Sequence, residues 1–155
     1  MDFTLRKYKE LLVCLQRKGY KFITFEQYCA QKRASSPSNI IASSPYIILR
    51  HDVDLKAANS LATALIEQAL GIRASYYFRV VPESNQPEII RAIAALGHEI
   101  GYHYEDMAIV NGDITKAYAH FQKQLQHFRQ FYPVRTICMH GAPTSKWDGK
   151  ALWKQ

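Results

Sequence analysis

Four short runs rich in β-branched and aromatic residues, YIILRHDVD (46–54), ASYYFRVV (74–81), HEIGYH (98–103) and VRTICMHG (134–141), alternate with segments of helical character. The first helical pattern covers about residues 56–70 and stops at Gly71, the second, QPEIIRAIAAL, opens on Pro87 and closes at Gly97, and the third, DITKAYAHFQKQLQHFRQFY, begins at Asp113. Strands joined through helices pair in parallel by right-handed crossovers, so the fold class is α/β with about four parallel strands. A sheet of this kind gathers its chemistry at the carboxyl ends of its strands. The final stretch, APTSKWDGKALWKQ, reads as a loop and the start of another helix.

Ahead of this alternation, Tyr8, Leu11, Leu12 and Leu15 recur at helical spacing among charged residues, and Gly19 stands where such a helix closes. An amphipathic helix over about residues 3–18 follows. Thr24 with Gln27 three residues on forms a capping box, which starts a second short helix in TFEQYCAQK. RASSPSNIIASSP (33–45) is a loop rich in Ser and Pro. The chain thus divides into an amino-terminal helical segment with its loop, 1–45, and an α/β domain, 46–155.

With 155 residues, 48% of them hydrophobic, the chain is long enough to bury a core of its own. The formal charge of +7 is spread along the chain, and its densest group, Arg6, Lys7, Lys9, Arg17, Lys18 and Lys21, is explained by a solvated helix face, so no nucleic-acid partner is expected. Three cysteines, Cys14, Cys29 and Cys138, show no paired short spacing, which argues against both a disulfide scaffold and a thiolate zinc site and fits reduced thiols in a cytoplasmic protein. The start, MDFTLRKYKELLVCL, lacks the unbroken apolar region of a signal peptide, and no stretch approaches a membrane span.

Side chains alternate along a strand, so Arg50, Asp52 and Asp54 project to one face while Leu49, His51 and Val53 project to the other. Two acids on one face need a cation or a shared proton if that face is buried, whereas a solvated strand end with an Arg50–Asp52 pair is the plainer alternative. The other strands bring Arg79, then Glu99 and His103, then His140 to the same census. Carboxylate and imidazole from different strands suit a divalent metal, usually zinc, with one aspartate as ligand and the other as base. His51 and His98 read as structural histidines, and His120 and His127, two turns apart in the third helix, carry no catalytic expectation.

The motifs RHDVD, GIRASYYF, LGHEIGYH and VRTICMHGAP resemble those of polysaccharide deacetylases of the carbohydrate esterase 4 type, over residue 46 to the end. The resemblance implies a distorted (β/α) barrel of that type, here partial or truncated, and a metal-dependent hydrolase that removes acetyl from an N-acetylated sugar or cleaves a related amide. It implies Asp52 as the catalytic base and Asp54 as a metal ligand, although one residue is inserted relative to the family's usual TFDDG. In GHEIGYHYEDM it implies His103 as a second ligand, while Met107 occupies the place of the family's next histidine. A thioether is a poor ligand for such a site, leaving Glu105, Asp106 or His140 to complete the set. His140 is favoured by its location on the next strand, against the alternative of a histidine bonding a loop carbonyl. The metal expected is zinc, with cobalt, nickel and manganese also within reach of these ligand types. The family's barrel has more strands and further motifs than this chain supplies, so the expectation is an incomplete domain: either a fragment or truncated product, or one that completes its exposed sheet edge by self-association or by rearrangement. A silent binding or remnant domain is the alternative function, and a basic module docking acidic polymers is a third.

Overall fold

The computed structural model describes residues 4–34, 45–141 and 144–154, so most of the Ser- and Pro-rich loop read at 33–45 lies outside the described residues. In chain order the elements are α1 (Leu5–Arg17), β1 (Lys21–Phe22), α2 (Phe25–Arg33), β2 (Tyr46–Ile47), β3 (Arg50–Val53), α3 (Ala57–Ala69), β4 (Ser75–Phe78), α4 (Pro87–Ala95), β5 (Glu99–Tyr104), α5 (Asp106–Ile109), α6 (Ile114–Phe128) and β6 (Ile137–Met139), followed by a 3₁₀ turn over Gly149–Trp153. Strands β3, β4, β5 and β6 pair in parallel in that order as a curled sheet, half a barrel with helices packed on it.

Side-chain caps mark the starts of α1, α2 and α6. Thr4 and Asp113 accept backbone hydrogen bonds from Lys7 and Lys116, and the Thr24–Gln27 capping box is complete. Gly71 and Gly97 adopt φ of +70° and +89° after α3 and α4, a conformation that a side chain disfavours.

The apolar run at 46–54 is not one strand. Tyr46 and Ile47 pair with Lys21 and Phe22 in a separate two-stranded sheet, and the chain then moves over so that Arg50 begins pairing with β4. The run's composition marks extended chain but carries no signal for which neighbour each piece pairs with. Short α5, directly after β5, was likewise not marked by any periodic pattern.

Register sorts the side chains into two faces. Val53, Tyr76, Phe78, Ile100 and Tyr102 are buried on the helix-facing side, packed with Ala64, Ile90, Ile93, Phe121 and Phe128. Each such side chain contributes about 1.5–3 kcal/mol by leaving water. On the opposite side the sheet stacks polar rows: Arg50, Ser75 and Glu99 are in register at the amino end, Asp52, Tyr77 and Gly101 in the middle, and His103 pairs with Cys138 toward the carboxyl end.

Helix α2 seats its amino end on the lower row. The Phe25 amide donates to Ser75 Oγ at 3.0 Å and the Glu26 amide to Glu99 Oε2 at 3.0 Å. Glu99, included above among strand-end residues, is therefore at the amino end of β5, buried and bonded to Ser75 and Thr136, and takes no part in the carboxyl rim. Helix α1 is anchored to α3, where the Tyr8 hydroxyl donates to Glu67 and Gln16 Nε2 donates to the Leu70 carbonyl at 2.9 Å. Among the described residues, no helix is long and apolar enough to cross a membrane.

Candidate metal centre

At the carboxyl rim, Asp52 and Asp54 from β3 and its end, His103 from β5 and His140 just past β6 converge. His103 Nε2 lies 3.9 Å from Asp52 Oδ2 and 3.6 Å from Asp54 Oδ1, and His140 Nε2 lies 3.4 Å from the same Asp54 oxygen. The imidazole rings of His103 and His140 meet edge to face, with centroids 5.0 Å apart. Parallel pairing produces this meeting because equivalent strand ends come out on one rim.

Each imidazole is oriented from behind. His103 is 3% exposed, and its Nδ1 donates to the Cys138 carbonyl at 3.1 Å, since a carbonyl can only accept. That leaves the Nε2 lone pair directed at the two aspartates. Burial holds the His103 pKa below its ordinary value of 6.5, against the opposing pull of the Cys138 carbonyl and of Asp52, so the ring is neutral at pH 7. His140 turns Nδ1 toward Glu105 Oε2 at 3.3 Å, and Arg79 grips Glu105 Oε1 through Nε at 2.7 Å and through a second guanidinium nitrogen at 2.7 Å. Arg79 thus braces Glu105, while Arg50 pairs with Asp52, at 2.9 Å.

Asp54 Oδ1 is shielded from solvent and, among the described residues, accepts no hydrogen bond, although its side chain as a whole is 48% exposed. An oxygen without a hydrogen-bond donor among the described residues, set between the Nε2 atoms of two imidazoles, is an arrangement that a cation or a shared proton would satisfy. Atoms bound at about 2.0–2.2 Å around a tetrahedral cation lie roughly 3.3–3.6 Å apart, which is the spacing found here. The donor set of one carboxylate oxygen and two imidazole nitrogens suits zinc and leaves a position for water.

Comparison with protein-family models, with curated proteins and with solved structures finds no match.

Other sequence candidates are engaged elsewhere. Met107 is buried in the core on α5, and Asp106 is buried against the Tyr102 hydroxyl and His120 Nδ1, at 2.9 and 2.5 Å. His51 stacks on Tyr76 and donates to Glu67 at 2.7 Å, His98 accepts the Ala74 amide and donates to the Ala64 carbonyl, and His127 meets Asn85. The sequence marks Cys138 only as an unpaired thiol, yet its Sγ lies 3.9 Å from Asp52 Oδ1, and its even spacing from His140 is the signal that both share one strand face. A cleft of about 350 Å³ opens beside His140, walled by Glu105, Met139, Ser145, Lys146 and Trp147.

Proposed function

We propose that the chain is a metal-dependent hydrolase of the polysaccharide-deacetylase type, removing acetyl from an N-acetylated sugar or cleaving a related amide. On this reading the curled sheet is part of that family's (β/α) barrel, and Asp54, His103 and His140 hold one divalent ion, zinc. The observation that carries it is the donorless Asp54 Oδ1 held at ligand spacing from two oriented imidazole nitrogens.

When bound, such an ion polarises an acyl carbonyl and makes a neighbouring water more acidic. Asp52, held by Arg50 on Oδ2, is the base that takes the proton of the attacking water. His103 and His140 keep their Nε2 atoms forward because the Cys138 carbonyl and Glu105 occupy their Nδ1 sides. The cleft beside His140 receives the sugar, with Trp147 as an apolar wall and Ser145 and Lys146 as polar partners.

Equilibrium dialysis against zinc with elemental analysis is expected to find about one ion per chain, reduced at least tenfold in affinity in Asp54→Ala and His103→Ala. Asp52→Asn is expected to keep the ion and lower acetate release from N-acetylglucosamine oligomers by about 10²–10⁴-fold. Full occupancy in both ligand variants overturns the site. The placement of Met107 in the core, where the family has a second histidine, favours a silent binding domain as the second reading. Zinc-loaded protein that releases no acetate from any N-acetylated sugar supports that reading.

A further inference from the structure

His103 belongs to a second group of ligand atoms besides the one above: Asp52, His103 and Cys138 also bring a carboxylate oxygen, an imidazole nitrogen and a sulfur within 4.8 Å of one another. We propose that this set takes a thiophilic divalent cation, of which cadmium is the probe, in a mode that competes with the oxygen- and nitrogen-rich site and occupies the base. The consequence for catalysis rests on the reading of Asp52 as that base; the binding itself does not.

Three features build the alternative set. Pairing of β5 with β6 puts His103 and Cys138 in register, so their side chains stand side by side on one face. The ring of His103 is then locked there by the carbonyl of Cys138 itself, at 3.1 Å. Asp52 completes the triangle, with Oδ1 3.9 Å from the Cys138 sulfur and Oδ2 3.9 Å from His103 Nε2. Sulfur bonds are longer than those to oxygen or nitrogen, about 2.3 Å for zinc, so slightly wider separations are what a mixed set requires. The His103 imidazole is 97% withdrawn from solvent, being 3% exposed, and its free nitrogen faces both sets.

One lone pair on Nε2 serves one ion. Binding in the sulfur set therefore excludes binding in the Asp54–His103–His140 set, and the choice follows softness: thiolate favours thiophilic ions, while carboxylate and imidazole suit harder ones. On binding, the thiol proton of Cys138 passes to solvent as the sulfur–metal bond forms. Asp52 becomes a ligand and no longer accepts the proton of a water.

Cadmium titration followed by the ultraviolet thiolate-to-metal charge-transfer band tests this, with bound cadmium counted by equilibrium dialysis. The expected result is a band from one thiolate at about one ion per chain. Cys138→Ser loses the band, whereas Asp54→Ala, His140→Ala and the double variant Cys14→Ser/Cys29→Ser retain it. Asp52→Asn weakens cadmium binding at least tenfold, and Cys138→Ser still binds zinc. Cadmium bound without the band, or a band that survives Cys138→Ser, overturns the proposal and leaves the zinc site standing. A cadmium band in protein that binds no zinc leaves the sulfur-set binding standing but overturns the competition between the two sets and removes the hydrolase reading.

Discussion

Gly101 shows how a single residue shapes the site floor. It pairs in register with Tyr77, and a Cβ added to it would collide with the Tyr77 ring and stand 2.9 Å from the Thr136 carbonyl. Its missing side chain is what lets the Tyr77 hydroxyl reach Thr136 at 2.8 Å, two residues below His103 on the same strand face. Gly101→Ala is expected to cost about 1–3 kcal/mol by overpacking, measured as a lower denaturant midpoint with an unchanged slope. A midpoint equal to that of the wild type would show that Tyr77 swings away freely. Asp54 presents the opposite problem, a buried Oδ1 that among the described residues has no hydrogen-bond donor.

Among elements, α2 links the amino-terminal segment to the sheet. Its capping box frees the first-turn amides to face Glu99 and Ser75, so the positive end of the helix meets a buried carboxylate. Thr24→Ala removes the acceptor for the Gln27 amide and is expected to destabilise the fold by about 1 kcal/mol, read from chemical denaturation. A loss below about 0.3 kcal/mol would mean that Glu99 holds the helix without its cap. Strand β6 contributes differently. It is short, with Ile137 38% exposed, yet its register with β5 sets Cys138 beside His103 and carries His140 to the rim.

For the whole molecule, the helix-facing side holds a polar network whose titration couples pH to stability. Glu67 is fully buried and accepts from Tyr8, His51 and Tyr76; burial raises its pKa, but the hydrogen bonds and charge of its partners outweigh this and hold it below 4.5. Its contribution is therefore complete above about pH 4.5 and is lost as pH falls through the lower folded value. His98, also fully buried, is pushed below 6.5 mainly by desolvation, so the unfolded chain takes a proton that the folded chain refuses. Stability from neutral His98 is present above about pH 6.5 and declines on acidification, by about 1.4 kcal/mol per pH unit until the folded value is reached. Denaturation at pH 7.5, 6.5 and 5.5 is expected to show a steeper loss in the wild type than in His98→Gln. Parallel curves would show that His98 charges in place.

The sequence alone determined the α/β alternation, the helix starts at Thr24 and Asp113, the glycine stops, and the shared face of Asp52 and Asp54, because each depends on periodicity or on bonds only a few residues long. Tertiary structure decided what these residues meet. It split the run at 46–54 between two sheets, sent Glu99 to the amino end, gave Arg79 to Glu105, buried Met107, and brought His140 and Cys138 to His103. Local pattern reports which way a side chain points, but register and strand order set its neighbours. Those are fixed by pairing between segments far apart in the chain, where the energy of the packed sheet, not the preference of any one residue, selects the partner.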